Sequence, residues 1–196
     1  MRKNKRNEII TATISLVAKK GVSGSSVRLI AEEAGVTEGA LYRHFASKED
    51  LCHQAYCQIV AEMAAEKERI LQSSVAFALK IREWVRVTYE YFDRFPDAFT
   101  FVILTHHDFP DSLSEITTRQ GQVLTQMIRA AVAAEELAPV IPEHAVSHFT
   151  GVMLNIPRLI GEGFLERPAS AYTEEVVTAI CRIFEVHEPK EVPTGA

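Results

Sequence analysis

Apolar residues recur at intervals of three and four along nearly the whole chain, separated by short polar, glycine or proline punctuation, and no stretch shows a convincing period-two alternation. The pattern predicts an all-α protein of about nine helices. Ile10, Ile14 and Val17 share one face of a first helix over residues 5–20, with Gly21 just beyond its end. Val27, Leu29, Ile30 and Ala34 supply the apolar positions of a short second helix, and Gly35 stands where that helix would close in a left-handed cap. Thr37 is placed to cap a third helix over residues 37–45. There Leu41 and Phe45 lie four apart on one face, while Glu38, Ala40, Tyr42, Arg43 and His44 fall largely on the others. Ser47 followed by Asp50 has the form of a capping box with Asp in place of Glu, and opens a fourth helix over residues 48–71. Lys48 in its first turn opposes the helix dipole and therefore reads as serving a group outside that helix.

The rest of the chain continues in longer helices. A fifth over residues 75–94 repeats Phe77, Ile81, Trp84, Val85 and Phe92, and Pro96 marks the break after it. Residues 97–107 are short and almost wholly apolar, so a sixth helix there is expected to be enclosed; Asp108, Pro110 and Asp111 end it. A capping box at Ser112 and Glu115 opens a seventh helix reaching residue 137. Pro139 and Pro142 separate it from an eighth over residues 143–164, for which Pro142 is the natural first residue. Pro157 removes a hydrogen bond inside that helix and should bend it, and Gly161 and Gly163 weaken its end. A ninth helix covers residues 172–186 before a polar tail, residues 189–196, that reads as disordered.

Residues 25–51 thus read as two short helices joined by a tight turn and followed at once by another helix, a helix-turn-helix motif. Together with Lys19-Lys20-Gly21, Val27-Arg28-Leu29-Ile30-Ala31-Glu32-Glu33-Ala34-Gly35-Val36, Gly39-Ala40-Leu41-Tyr42-Arg43-His44-Phe45 and Ser47-Lys48-Glu49-Asp50-Leu51, the segment closely resembles the DNA-binding domain of tetracycline-repressor-like (TetR/AcrR) regulators. The resemblance covers about residues 5–60. It implies a DNA-binding domain over residues 1–50, a ligand-binding and dimerisation domain over residues 51–188, and a fourth helix that links them mechanically. Over the remaining two thirds of the chain, length and helical texture match the family, so the fold carries over but the ligand does not.

Charge sharpens this picture when it is divided. Residues 1–50 hold nine Lys/Arg and six Asp/Glu, a net of +3, against twelve and twenty in the remainder, a net of −8. A locally basic front end can approach a duplex although the whole chain is acidic. No run of 18 apolar residues suggests a membrane span. The basic-then-apolar start is interrupted by Thr11, Thr13 and Ser15 and ends in two lysines, so it reads as an amphipathic helix rather than a leader, and the expected location is cytoplasmic. Cys52, Cys57 and Cys181 have no metal-ligand spacing and are expected to be reduced and mostly buried.

A recognition helix reads base edges in the major groove with its N-terminal residues deepest. Gly39 and Ala40 would let the backbone approach, Thr37 and Glu38 stand at the entry turn, and Arg43 is the candidate for a bidentate guanine contact. Two roles are open to Glu38: accepting from a cytosine amine, or stabilising its own helix N-terminus. The family resemblance implies phosphate contacts for Tyr42, His44 and Lys48, and a base or phosphate contact for Arg28. Lys3, Lys5 and Arg6 are candidates for a trailing arm or a solvated face.

One such domain has a small footprint, so a homodimer on a palindrome-like double-stranded operator is expected. The family places the dimer interface on the eighth and ninth helices, whose stripes comprise Val146, Phe149, Met153, Val176, Val177, Ile180 and Phe184; an intramolecular core would need the same residues. The family also implies a small-molecule effector, apolar or aromatic, with Trp84, Thr88, Phe92, Phe99, Ile103, His106 and Met127 as candidate lining, again residues that a core needs. His144 and His148 are four apart and His106, His107 and Asp108 adjacent, but no third and fourth metal ligands stand at motif spacing, so no metal, cofactor or catalytic residue is assigned. The resulting expectation is an effector-released repressor and not an enzyme. The alternatives are a histidine- or metal-dependent all-α enzyme, an activator of the same family and a nonspecific DNA binder, the last disfavoured by the acidic total.

Overall fold

The computed structural model of the chain describes residues 5–105 and 116–186. Among them are α1 (Lys5–Lys20), α2 (Val27–Glu33), α3 (Glu38–Leu41), α4 (Lys48–Gln72), α5 (Phe77–Arg94), α6 (Pro96–Thr105), α7 (Ile116–Ala133), α8 (Pro142–Gly161) and α9 (Thr173–Ile183), and no strand. The Ser112/Glu115 box, residues 106–111 and the tail after residue 186 lie outside the described residues.

Compactness does not divide the chain where charge does. One unit gathers residues 1–63 with 95–118, and the other residues 64–94 with 119–196. In the first, α1 packs against α2 and α6, and α2 against α3. Ile9, Val17, Ile30, Leu41, Phe45, Leu51, Tyr56 and Phe101 are sealed in its core. The enclosure expected for α6 holds for one face only: Phe99, Phe101 and Thr105 are buried, whereas Ile103 and Leu104 are exposed. In the second unit α5 packs on α8 and α9, and α8 on α9. Its core includes Phe77, Ile81, Val85, Tyr89, Leu124, Ile128, Phe149 and Ile180.

Several ends differ from the sequence pattern. The third helix stops at Leu41 rather than Phe45, finishing in turns in which the His44 and Phe45 amides both donate to the Leu41 carbonyl, at 2.9 and 3.1 Å. The seventh stops at Ala133, where Glu135 takes a left-handed φ of 59° and the Glu136 amide donates to the Ala131 carbonyl, a glycine-type ending without glycine. A 3-10 turn, Ala169–Tyr172, precedes α9. The Asp93 carboxylate on α5 holds it by accepting from the Ala169 and Ser170 amides at 2.7 and 2.9 Å.

Pro157 has a specific counterpart. Lacking an N–H, it cannot donate to the carbonyl four residues back, which belongs to Met153. The buried Tyr89 hydroxyl on α5 donates to that same carbonyl at 2.8 Å. Burial, aided by Glu175, pushes the Tyr89 phenol above its ordinary pKa, so the proton needed for this bond stays in place. The break in α8 is thereby converted into a link between α5 and α8. Tyr89→Phe leaves the Met153 carbonyl buried without this donor and is expected to lower stability by about 1–3 kcal/mol, read as a shift of the urea midpoint at unchanged slope.

Candidate nucleic-acid interface

Two helices of seven and four residues, too short to persist alone, are held by their ends. Ser26 caps α2, its hydroxyl accepting from the Leu29 amide at 3.3 Å. At the other end Gly35 takes φ +62°, with its amide on the Glu32 carbonyl at 3.1 Å and the Val36 amide on the Ala31 carbonyl at 2.9 Å, the paired bonds of a left-handed cap. Thr37 then caps α3, accepting from the Ala40 amide at 3.1 Å. Leu41 and Phe45 anchor the motif in the core.

That anchoring leaves the opposite face open. Glu38, Gly39, Tyr42, Arg43, His44 and, on α2, Arg28 are exposed, Tyr42 by 51%. Gly39 carries particular information. Its φ is not left-handed, and a Cβ built on it would meet nothing within 4 Å, so neither backbone conformation nor internal packing demands glycine there. Glycine in a helix costs about 0.5–1 kcal/mol relative to alanine. The bare backbone leaves the first turn of α3 open to close approach from outside.

The fourth helix starts as a modified capping box. Ser47 accepts from the Asp50 amide at 3.1 Å, but the shorter Asp50 side chain accepts from the Ala46 amide, at 2.8 Å, instead of Ser47's. Hydrogen bonds from Gln54 and that amide hold the Asp50 carboxyl below its ordinary pKa. Lys48 does reach outside its helix: its Nζ donates to the Val22 carbonyl at 2.5 Å, tying the start of α4 to the turn between α1 and α2. Gly24 in that turn has no freedom to change, since a Cβ would stand 2.3 Å from the Lys20 carbonyl oxygen. The expected basic arm is corrected in part. Lys5 and Arg6 belong to α1, Lys5 pairs with Glu8 at 2.8 Å, and Arg6 donates to Gln54 at 2.6 Å while lying 5.5 Å from the Phe45 ring centroid. Lys3 lies outside the described residues.

The residues expected to form a dimer surface are displaced inward. Phe149, Met153, Val176, Val177, Ile180 and Phe184 are buried by their own chain and cannot be the surface a partner touches; Val146 is half-buried. The periodicity was that of a protomer core. Positions that α8 turns outward include His144, His148, Gly151, Asn155 and Arg158.

Of the expected effector residues, Trp84, Thr88, Phe92 and Met127 are buried in the second unit and Phe99 in the first, Ile103 is 47% exposed, and His106 lies outside the described residues. Thr88 donates to its own helix at the Trp84 carbonyl, 2.8 Å, and the Arg167 guanidinium carbon lies 4.9 Å from the Phe92 ring centroid. Trp84 meets Phe149 edge-on, with centroids 6.1 Å apart and an interplanar angle of 81°. The pattern missed Lys67, which is 3% exposed with its ammonium 5.0 Å from the Trp84 ring centroid. Its signal was present: Lys67 occupies an apolar stripe between Met63 and Ile70, both buried. Burial pushes its pKa down to about 7. An open groove of about 560 Å³ lies elsewhere, on the first unit between Asn7, Glu8, Thr11 and Ser15 of α1 and Glu33 of α2, and contains none of the expected effector residues. Among the described residues no three His, Cys, Asp or Glu side chains gather as a metal site, and no helix is long and apolar enough to cross a membrane.

Capped short helices, an anchored core face and an open basic-aromatic face define a helix-turn-helix DNA-binding domain. Residues 9–55 match the family described as bacterial regulatory proteins, tetR family. Similar relatives include the transcriptional regulator YerO of Bacillus subtilis, 38% identical over 72 residues, which are 37% of this chain and 25% of that protein. The transcriptional repressor KstR2 of Rhodococcus jostii is 28% identical over 89 residues, 45% of this chain and 44% of that protein. These likenesses thus span less than half the length of either relative. Among solved structures, the fatty acid degradation regulator FadR of Bacillus halodurans superposes with a TM-score of 0.79 at 15% identity, covering 92% of this chain and 96% of that one. FadR of Bacillus subtilis, solved in complex with stearoyl-CoA, gives 0.79 at 16% identity, covering 89% and 96%. Residues 9–55 are thus an N-terminal domain of the tetR-family type, and the all-α fold of the chain is shared with solved regulators of that family.

Two substitutions separate fold from contact. Gly39→Leu is expected to keep or raise thermal stability while abolishing duplex binding in a fluorescence-anisotropy titration. Lys48→Ala should weaken binding and also lower stability, by about 1–2 kcal/mol for the lost charged hydrogen bond, read by urea denaturation. Lys67 gives a pH signature. Its folded pKa, about 7, lies below the ordinary lysine value of 10.5, so between the two the unfolded chain binds more protons and stability must rise with pH. Below about 7 the burial penalty is present in full and constant. The excess stability of Lys67→Met over the wild type is therefore expected to shrink steadily from pH 7 to 10, measured by paired urea titrations; an excess independent of pH contradicts the assignment.

Proposed function

We propose that the protein is a homodimeric transcriptional repressor that binds a palindrome-like operator and is released by a small effector with an apolar or aromatic body. The observation that carries the DNA-binding part is Gly39, a glycine its own fold does not require, at the open N-terminal turn of α3. In this reading Thr37, Gly39 and Ala40 let α3 enter the major groove, Arg43 takes a guanine edge, and Glu38 accepts from a cytosine amine. Tyr42, His44, Arg28 and Lys48 contact phosphates, Lys48 retaining ammonium donors beyond the one directed at Val22. The repressor reading is supported by the naming of KstR2 as a repressor, and the effector reading by stearoyl-CoA in the Bacillus subtilis FadR complex.

The dimer rests on the outer faces of α8 and α9. His144, His148, Gly151, Asn155 and Arg158 recur at three and four along α8, and Glu175, Thr178 and Arg182 do so along α9. Gly151 has open space where a Cβ would stand, which suits close helix approach. Polar positions dominate these stripes, so the interface is expected to be hydrogen-bonded as well as packed.

Selection of genomic fragments by the purified protein at near-physiological salt, followed by sequencing, tests the reading. A two-half-site sequence is expected, lost with Tyr42→Ala, while Arg43→Ala relaxes preference at one position of each half-site. Enrichment of no sequence would remove the regulator reading. A reporter driven from the recovered site then separates repression from activation.

A further inference from the structure

We propose that Arg6 and Gln54 are positioning residues for the turn over residues 42–46, which carries Tyr42, Arg43 and His44, and that they set operator selectivity without contacting a base. The inference deepens the DNA-binding reading and rests on it. The turn begins where α3 ends at Leu41, and the His44 and Phe45 amides close onto the Leu41 carbonyl at 2.9 and 3.1 Å. Further support comes from two other helices. The Asp50 carboxylate on α4 accepts from the Ala46 amide at 2.8 Å through one oxygen and from Gln54 Nε2 at 2.8 Å through the other. Gln54 Oε1 in turn accepts from the Arg6 guanidinium on α1 at 2.6 Å. That guanidinium also lies over the Phe45 ring, 5.5 Å from its centroid, and the Phe45 ring stands 6.3 Å from the His44 ring. Arg6 thus grips the turn twice, through Phe45 and through the relay of Gln54 and Asp50.

Each link uses chemistry specific to its residue. A side-chain amide has an acceptor at one end and donors at the other, so Gln54 can face a cation and a carboxylate at once; a flipped amide would set like against like at both ends. Hydrogen bonds from Gln54 and the Ala46 amide hold the Asp50 carboxyl below its ordinary pKa, which keeps it an acceptor. In the usual capping box the third helical residue returns to the capping residue's own amide. Asp50 instead reaches one residue further back, to Ala46, and so extends the hold of α4 into the turn. A planar guanidinium can lie on an aromatic face and still donate in its own plane. Leu41 and Phe45 are buried and already fasten the segment to the core, whereas Arg6, Gln54 and Asp50 are half-buried. Apolar burial is non-directional and supplies the anchor; hydrogen bonds are directional and supply the angle. Angle is what a bidentate base contact demands.

The full-length protein is titrated by fluorescence anisotropy with the operator recovered by selection and with a scrambled duplex of equal length, over a series of salt concentrations. Gln54→Met exchanges one neutral side chain for another of similar length, so it removes the relay without changing charge. It is expected to lower the ratio of operator to scrambled affinity about tenfold, the discrimination carried by one bidentate base contact, with the salt slope on the scrambled duplex unchanged. Arg6→Met should lower the ratio at least as far, and the double variant no further than Arg6→Met, as residues of one network behave. A role confined to stability would shift the melting temperature and leave the ratio alone. A direct phosphate contact by Arg6 would weaken binding to both duplexes alike, flatten the salt slope by about one and leave Gln54→Met as the wild type. Either pattern, or additive losses in the double variant, overturns the proposal. If one variant does not fold at the assay temperature, the ratio in the other decides. A wild type that does not discriminate between the duplexes removes the regulator reading and the relay with it; discrimination kept in both variants removes the relay alone.

Discussion

A helix of four residues satisfies almost none of its own backbone hydrogen bonds, and one of seven few more; the helix-turn-helix of this protein is built from such a pair. Their ends supply what their length cannot. Ser26, Gly35 and Thr37 close three successive termini within twelve residues, and Leu41 and Phe45 fix the second helix to a core formed with α1. Everything on the outer face depends on that arrangement. Because the caps and anchors take Thr37, Leu41 and Phe45, the remaining positions Glu38, Gly39, Tyr42, Arg43 and His44 are left exposed on the outer face.

The same need to satisfy buried polar groups organises the second unit. Pro157 interrupts α8 where the Met153 carbonyl would be left without its usual donor, and the Tyr89 hydroxyl takes over the bond. Asp93 does the equivalent for the amides at the start of the 3-10 turn. Lys67 is a charged group in an apolar stripe whose burial lowers its own basicity, with its ammonium over the Trp84 ring.

Local positive charge and global negative charge coexist because they occupy different stretches. The +3 of residues 1–50 favours phosphate, and the −8 of the remainder discourages nonspecific attachment elsewhere. Lys48 ties the start of α4 to the turn before α2 by holding the Val22 carbonyl, a bond that uses one of its three ammonium donors.

The all-α class, most helix positions and the helix-turn-helix were legible in the sequence, since each rests on interactions between residues three or four apart. Gly35 announced its left-handed cap and Pro142 the start of α8, because those residue types constrain their own backbone. Glu135 in a left-handed turn was not legible, as glutamate carries no such bias and the surrounding bonds impose it. Nor could periodicity tell a partner's surface from a protomer's core. Phe149, Met153 and Ile180 form the stripe that either would require, and their burial against neighbours distant in sequence decided between them. The meeting of Lys67, Trp84 and Phe149 belongs to the same class. A pattern along one helix records which face is apolar, but what that face touches depends on the packing of three helices from separate parts of the chain, and only the tertiary structure contains that information.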